Sequence, residues 1–323
     1  DRAIGTKFGD LPFVFGVEPS GASNVLAIIA GSTITVAGTV YSITIVALTL
    51  ASTQFSPRIL RNFMRDTGNQ FVLGVLVGIF AYCIIVLRTI RSGGDESANF
   101  VPTLAVVFGV LLGLFGVGVL IYFIHHVATS IQATSIISNI AEETVCEIEE
   151  NYRLSYDAKQ FDRELLKELS AKKWLKIPSN ETGYIQNADT DALSGLAKRL
   201  DLVVQMRRRV GEFTINGLPL LQIAPKNENF TVDEKLIAEF NDAYDIGNFR
   251  TVEGDVAFGL RQIVDISLKA LSPAINDTTT ALSCIDYLTA IMVCLAKRQS
   301  CPPLYFHKDE LRLVINQQRF EDY

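Results

Sequence analysis

Between Glu18 and Arg58 no residue carries a charge, and within that run Val25–Leu50 is apolar apart from hydroxyls. An α-helix needs only ~20 such residues to cross a bilayer, so the run is long enough for a span and too long for an ordinary core helix. Two further segments repeat the pattern. Phe71–Leu87, within a span at about 69–88, is bounded by Asp66 and Arg88, and Val101–Ile124 is uncharged throughout. A soluble protein can imitate one such segment with a buried helix, but not three in close succession.

The rest of the composition agrees. Charged residues make up 20% of the chain, against about 25% in soluble domains, and mean hydropathy is +0.27. A net charge of −6 removes nucleic acid as an expected partner. The five cysteines (Cys83, Cys146, Cys284, Cys294, Cys301) form no C-x-x-C pair, so free thiols are expected and no metal site is. Charge is uneven along the chain. Residues 1–130 hold seven basic and six acidic residues, and residues 131–323 hold 22 and 29. The division predicts an extracytoplasmic segment (1–22), a transmembrane domain (23–130, spans about 25–50, 69–88 and 101–124), connecting helices (131–176), a small β-rich subdomain (177–226) and a C-terminal helical subdomain (227–323). The fold class is mostly α, a polytopic helical membrane domain followed by an α+β domain.

The loop Ser56–Asn69 carries Arg58, Arg61 and Arg65 against Asp66, whereas Arg88–Phe100 balances two arginines with Asp95 and Glu96. The positive-inside rule therefore puts the first loop, and everything after about Ser130, in the cytoplasm. The expected location is the bacterial inner membrane, with a cytoplasmic C-terminal domain and the lipid bilayer as first partner. A chain starting in the cytoplasm would need one more span upstream of these three.

Ser32, Thr35, Thr39, Ser42, Val46, Thr49 and Thr53 alternate three- and four-residue steps along the first span, which places them on one helix face. A stripe of six hydroxyls fits a tight helix–helix seam, or a weakly polar pore lined by copies of this helix. Both readings make the protein a homo-oligomer. Gly74–Gly78 and Gly109–Gly113 are G-x-x-x-G pairs expected to pack helices. Gln54 and Phe55 sit at the span exit, where a constriction would form. Arg58, Arg61 and Arg65 follow on one face, as headgroup anchors or as a positive ring favouring small anions. His125 and His126 close the third span, as interfacial packing or a pH-responsive gate.

The second half begins with a helix whose apolar side includes Ile136, Ile137, Ile140 and Ile148. A strand at Gly183-Tyr-Ile-Gln follows, then a helix at about 190–200 opened by Asp189 and Asp191 and a strand at 201–210. The spacing Gly211…Gly217-Leu-Pro-Leu resembles a turn of lipoyl-type barrel-sandwich modules, without their modifiable Lys. Helices are expected at about 231–243, 253–271 and 277–297. At the last of these, Asn276 and Asp277, with Arg261, are candidates for capping or for an anion or ligand site. Arg261, Asp265 and Asp286 are expected to form a buried ion network. No H-E-x-x-H, G-x-S-x-G, P-loop or dinucleotide fingerprint occurs, so neither catalysis nor a cofactor is expected.

Four stretches carry a family resemblance. They are Ile29–Thr44 (IAGSTITVAGTVYSIT), Leu50–Asp66 (LASTQFSPRILRNFMRD), Tyr122–Ala128 (YFIHHVA) and Phe258–Asp277 (FGLRQIVDISLKALSPAIND). Together they resemble the bacterial predicted membrane proteins grouped as domain of unknown function 2254. The resemblance runs through nearly the whole chain and implies an upstream span, but no activity. On the residues themselves, the expected function is a channel-like, homo-oligomeric pore with weak anion preference, lined by the first span and regulated by the cytoplasmic domain. The alternative is a membrane-anchored sensor or scaffold whose cytoplasmic domain binds a ligand or a protein partner.

Overall fold

A computed structural model describes residues 18–54, 67–91, 100–152, 169, 172–226, 230–298, 304–307, 310–316, 318 and 320. Phe55, Arg58, Arg61, Arg65 and Cys301 lie outside the described residues. The chain divides into two compact units, residues 1–136 and 137–323.

The first unit contains α1 (Pro19–Gln54), α2 (Thr67–Thr89) and α3 (Thr103–Ser130). At 1.5 Å per residue the 36 residues of α1 reach about 54 Å, well beyond the ~30 Å of a hydrocarbon core. The helix overruns the expected 25–50 at both ends, because nothing from Gly21 to Gln54 breaks it. Likewise α3 continues past His125 and His126. Each helix buries one seam at three- and four-residue steps. On α1 the seam includes Leu26, Ala30, Ala37, Val40, Ala47 and Ala51, and on α2 it runs Asn69, Val72, Leu76, Ile79, Cys83, Val86. The remaining faces expose Ile28, Phe71, Ile85, Leu114 and Ile121, the pattern of helices whose outer solvent is lipid.

Close approach in this bundle depends on α3. A Cβ at Gly109 would lie 2.7 Å from Cδ2 of Leu26, and one at Gly116 would lie 3.1 Å from Cδ1 of Ile79. Gly74 and Gly78, by contrast, have open space around them, so of the two G-x-x-x-G pairs only the one on α3 packs among the described residues. Tyr82 also ties α2 to α3 by donating to the Ala105 carbonyl at 2.9 Å.

The second unit has α4 (Ala133–Asn151), within which the boundary at 136/137 falls, then α5 (Thr190–Arg199), α6 (Glu234–Asn241), α7 (Val256–Ala270) and α8 (Thr278–Ala296). Its strands are β1 (Leu175–Pro178), β2 (Gly183–Ala188), β3 (Leu202–Met206), β4 (Phe213–Thr214), β5 (Pro219–Pro225), β6 (Tyr244–Gly247), β7 (Leu304–His307) and β8 (Glu310–Val314). A five-stranded sheet has the order β1-β5-β3-β8-β7, and a three-stranded sheet the order β4-β2-β6. Ile177, Ile185, Leu193, Val204, Leu221, Ile223, Phe240 and Leu313 fill the core against them.

This corrects the expected subdivision at 226. The region 227–323 is not purely helical, since β6 completes the small sheet and β8 pairs in parallel with β3, Val204 opposite Leu313. The barrel-sandwich likeness stops at its turn. Gly217, at φ +85°, donates its N–H to the Ser179 carbonyl at 2.8 Å, and the chain passes there from the small sheet (β4) to the large one (β5).

Candidate functional site

The seam of α1 faces α2 and α3, so the opposite side of the helix has no packed neighbour among the described residues. That side is the hydroxyl stripe. Ser32, Thr35, Thr39, Ser42, Thr49, Thr53 and the intervening Val46 are all exposed, as is Gln54 at the helix end. Gly31 and Gly38 lie beside the stripe, and a Cβ at either would meet nothing within 4 Å. The one buried hydroxyl of the helix, Thr33, sits on the packed face instead.

Four hydroxyls of the stripe turn their protons back into the helix. Thr35 donates to the Gly31 carbonyl at 2.8 Å, Thr39 to Thr35 at 3.1 Å, Thr49 to Ile45 at 2.9 Å and Thr53 to Thr49 at 3.0 Å. In that state each oxygen presents lone pairs outward, and rotation about χ1 or the C–O bond exchanges donor for acceptor. The face is therefore uncharged, polar along its middle and small in cross-section. It can take a second helix at close range or a file of water, and it places no fixed charge on either.

At the end of α3, His125 is exposed while His126 is half-buried and stacks on Tyr122 with ring centroids 5.5 Å apart. The start of α2 holds a feature not foreseen from sequence. Asn69 is 5% exposed on the helix seam, and its amide has no hydrogen-bond partner among the described residues.

The candidate anion site before α8 is occupied by the protein's own carboxylate. Asp277 accepts from the Thr280 N–H at 3.0 Å and from its hydroxyl at 2.6 Å, and these bonds hold its carboxyl below the usual range. Asn276 adopts φ +50° in the turn before it. Arg261 does not join them. It pairs with Asp265 at 3.0 Å, nine residues up α7 from the helix end, or about 13 Å along the axis. The expected buried ion network is corrected as well, because Arg261 and Asp286 are both exposed.

Sequence reasoning missed a second polar cluster, where α4 meets the start of α7. Asp255 is 3% exposed, caps α7 by accepting from Phe258 N–H, and receives Nε and Nη2 of Arg250 at 2.8 and 2.9 Å. The Arg250 guanidinium lies 5.1 Å from the Phe258 ring centre. Gly211 leaves room for the carboxylate, since a Cβ there would fall 1.9 Å from Oδ2 of Asp255. On α4, Glu147 is 8% exposed and bonds the Gly254 N–H and the Asn151 side chain; burial pushes its carboxyl above the usual range. The available signal was the glycine pair Gly211 and Gly254, both at positive φ.

The model of the predicted membrane protein family DUF2254 matches residues 1–323. The chain belongs to DUF2254. It is 33% identical over 303 residues to uncharacterised proteins of Mycobacterium bovis and of Mycobacterium tuberculosis, an alignment covering 91% of this chain. It spans 57% of the length of those relatives. No solved structure matches it. Among the described residues four helices, α1, α2, α3 and α8, are long and apolar enough to cross a membrane, and the DUF2254 chain is a multi-pass membrane protein with a C-terminal region of small β-sheets.

Proposed function

We propose that this DUF2254 chain assembles with copies of itself around α1 to form a channel-like pore, with the C-terminal unit as its regulatory part. The observation that carries the reading is the outward stripe of α1. Six hydroxyl positions and two glycines share the side of α1 that no described residue covers, whereas lipid contact alone favours large apolar side chains. Around an axis, those hydroxyls give a weakly polar, uncharged lining in which neither sign of ion is strongly held. The proposed anion preference rests on the arginines at 58, 61 and 65, which would supply positive potential at the mouth, with Gln54 and Phe55 at the constriction. The reading is transport without catalysis, in the inner membrane, with the C-terminal unit in the cytoplasm.

The inward-turned threonine protons favour a second reading. They suit a dry seam between helices, in which case α1 only associates and the C-terminal unit acts as a sensor or scaffold.

Ion flux separates the two. The full chain is reconstituted in liposomes and challenged with chloride and potassium gradients separately. A pore gives flux that changes when Thr39 and Ser42 are both replaced by Val, with chloride the faster ion. Absence of flux under voltage, tension and pH change overturns the pore and leaves the sensor reading.

A further inference from the structure

The most apolar helix outside the first unit is α8, and its composition would let it cross a bilayer. The sheet forbids that. Strand β3 precedes α8 and β8 follows it, yet the two pair directly, so the chain must leave and return on the same side of any membrane. The other long helix between them, α7, carries Arg261, Asp265 and Lys269 and makes a poor return span. The outward face of α8 therefore lies in water unless something covers it. Leu282, Ile285 and Val293 are 62%, 54% and 48% exposed there, with Asp286, Thr289 and Ala290 between them.

We propose that this face pairs with the same face of a second copy, antiparallel, about a two-fold axis passing between Tyr287 and Leu288. The exposed positions map onto one another under that rotation. Leu282 meets Val293 of the second copy, Ile285 meets Ala290, and Asp286 meets Thr289, whose hydroxyl, donating to the Ile285 carbonyl at 2.7 Å in the single chain, would turn to the carboxylate. The exposed Lys297 at the end of one helix falls beside the start of the other, next to Asp277. Parallel pairing would instead set Asp286 against Asp286 and Lys297 against Lys297. The helix dipoles favour the same choice, since antiparallel helices place opposite ends together. A bilayer surface is the weaker occupant. Interfacial helices carry basic residues along the polar flank, whereas this face has an aspartate at its centre and residues 131–323 hold 22 basic against 29 acidic side chains. The pairing does not depend on what α1 encloses.

Oxidative cross-linking of the detergent-solubilised full chain tests it, in a background where Cys146, Cys294 and Cys301 are serine. The Leu282→Cys/Val293→Cys double variant is expected to shift most of the chain to a covalent dimer, while each single variant stays monomeric, its two copies of one cysteine lying too far apart. Leu282 and Val293 are both exposed, and the singles control for random collision. The proposal is overturned if the double variant fails to cross-link or if Leu282→Cys alone does so equally well. It is also overturned if the thiol at 282 is shielded from a water-soluble maleimide only in lipid, which would give the face to the bilayer.

Discussion

In the second unit α5, α6, α7 and α8 each open on an aspartate, Asp189, Asp233, Asp255 and Asp277, whose side chain accepts the N–H three residues on. In the first unit α3 opens on Pro102 with no side-chain cap. The outward faces differ in the same sense. On α1 the uncovered face carries a stripe of hydroxyls with glycine beside it, flanked by Ile28 and Leu50; on α8 it carries Leu282, Ile285 and Val293 around Asp286 and Thr289. Water attacks a bare helix end and drives large apolar groups together, so a helix in water needs its cap and associates through bulk. Lipid offers tails as apolar as leucine, so helices there associate through small surfaces that fit closely. One chain carries both solutions.

The contrast is broken most severely at the cap that is also an ion pair. Asp255→Ala strips α7 of its cap and leaves Arg250 without a carboxylate, which should destabilise the second unit by about 3 kcal/mol. The chain has a single tryptophan, Trp174, packed in that unit with Nε1 donating to the Leu169 carbonyl at 2.9 Å. Its fluorescence during unfolding should show the loss, and an unchanged midpoint would mean the cluster contributes little.

Smaller in effect, but sharper as a test of the membrane half, is a pair of glycines. Gly109→Leu forces side-chain bulk into Leu26 and should cost about 1–3 kcal/mol through overpacking. Gly78→Leu points into open space and should leave the bundle as it is. Survival of monodisperse protein on heating in detergent reads both, and equal losses would mean that Gly78 packs against another copy.

Much of this was legible in the sequence and some was not, for reasons of range. The three spans, the common face of Thr35, Thr39, Thr49 and Thr53, and the caps at Asp189 and Asp277 follow from spacings of seven residues or fewer. Strand β8 belongs to the large sheet only because β3, about 100 residues earlier, accepts it, and its Arg312 is buried by a 2.7 Å pair with Asp201. No local pattern announces either partner. Glu147 was hidden differently: it lies in an acidic stretch, Glu142–Glu150, yet it shares the buried side of α4 with Ile140 and Ile148.

That burial gives the smallest effect and a sign that can be checked. The folded-state pKa of Glu147 is raised, by burial first and then by Glu150 and Glu253, against bonds from Gly254 and Asn151. Below about pH 4, near the ordinary glutamate value, both folded and unfolded states are protonated and nothing is lost. As pH rises through the raised value, the folded state ionises at a cost the unfolded state does not bear, and stability falls. Glu147→Gln keeps an acceptor for the Gly254 N–H without the charge. Its unfolding midpoint should therefore gain on the parent steadily from acid to neutral pH, and a gap independent of pH would sink the assignment.

The parallel pairing of β3 with β8 also sets an order of events during synthesis. At about 5–20 residues per second, a ribosome takes on the order of 5–20 s to go from the end of β3 to the start of β8. Throughout that interval β3 is an edge strand, with Val204 and Gln205 unpaired on one side, while the spans of the first unit have already been delivered. The nascent chain is thus anchored in the membrane with an open sheet beside it, and whatever shields that edge until Leu313 arrives governs the yield of finished protein.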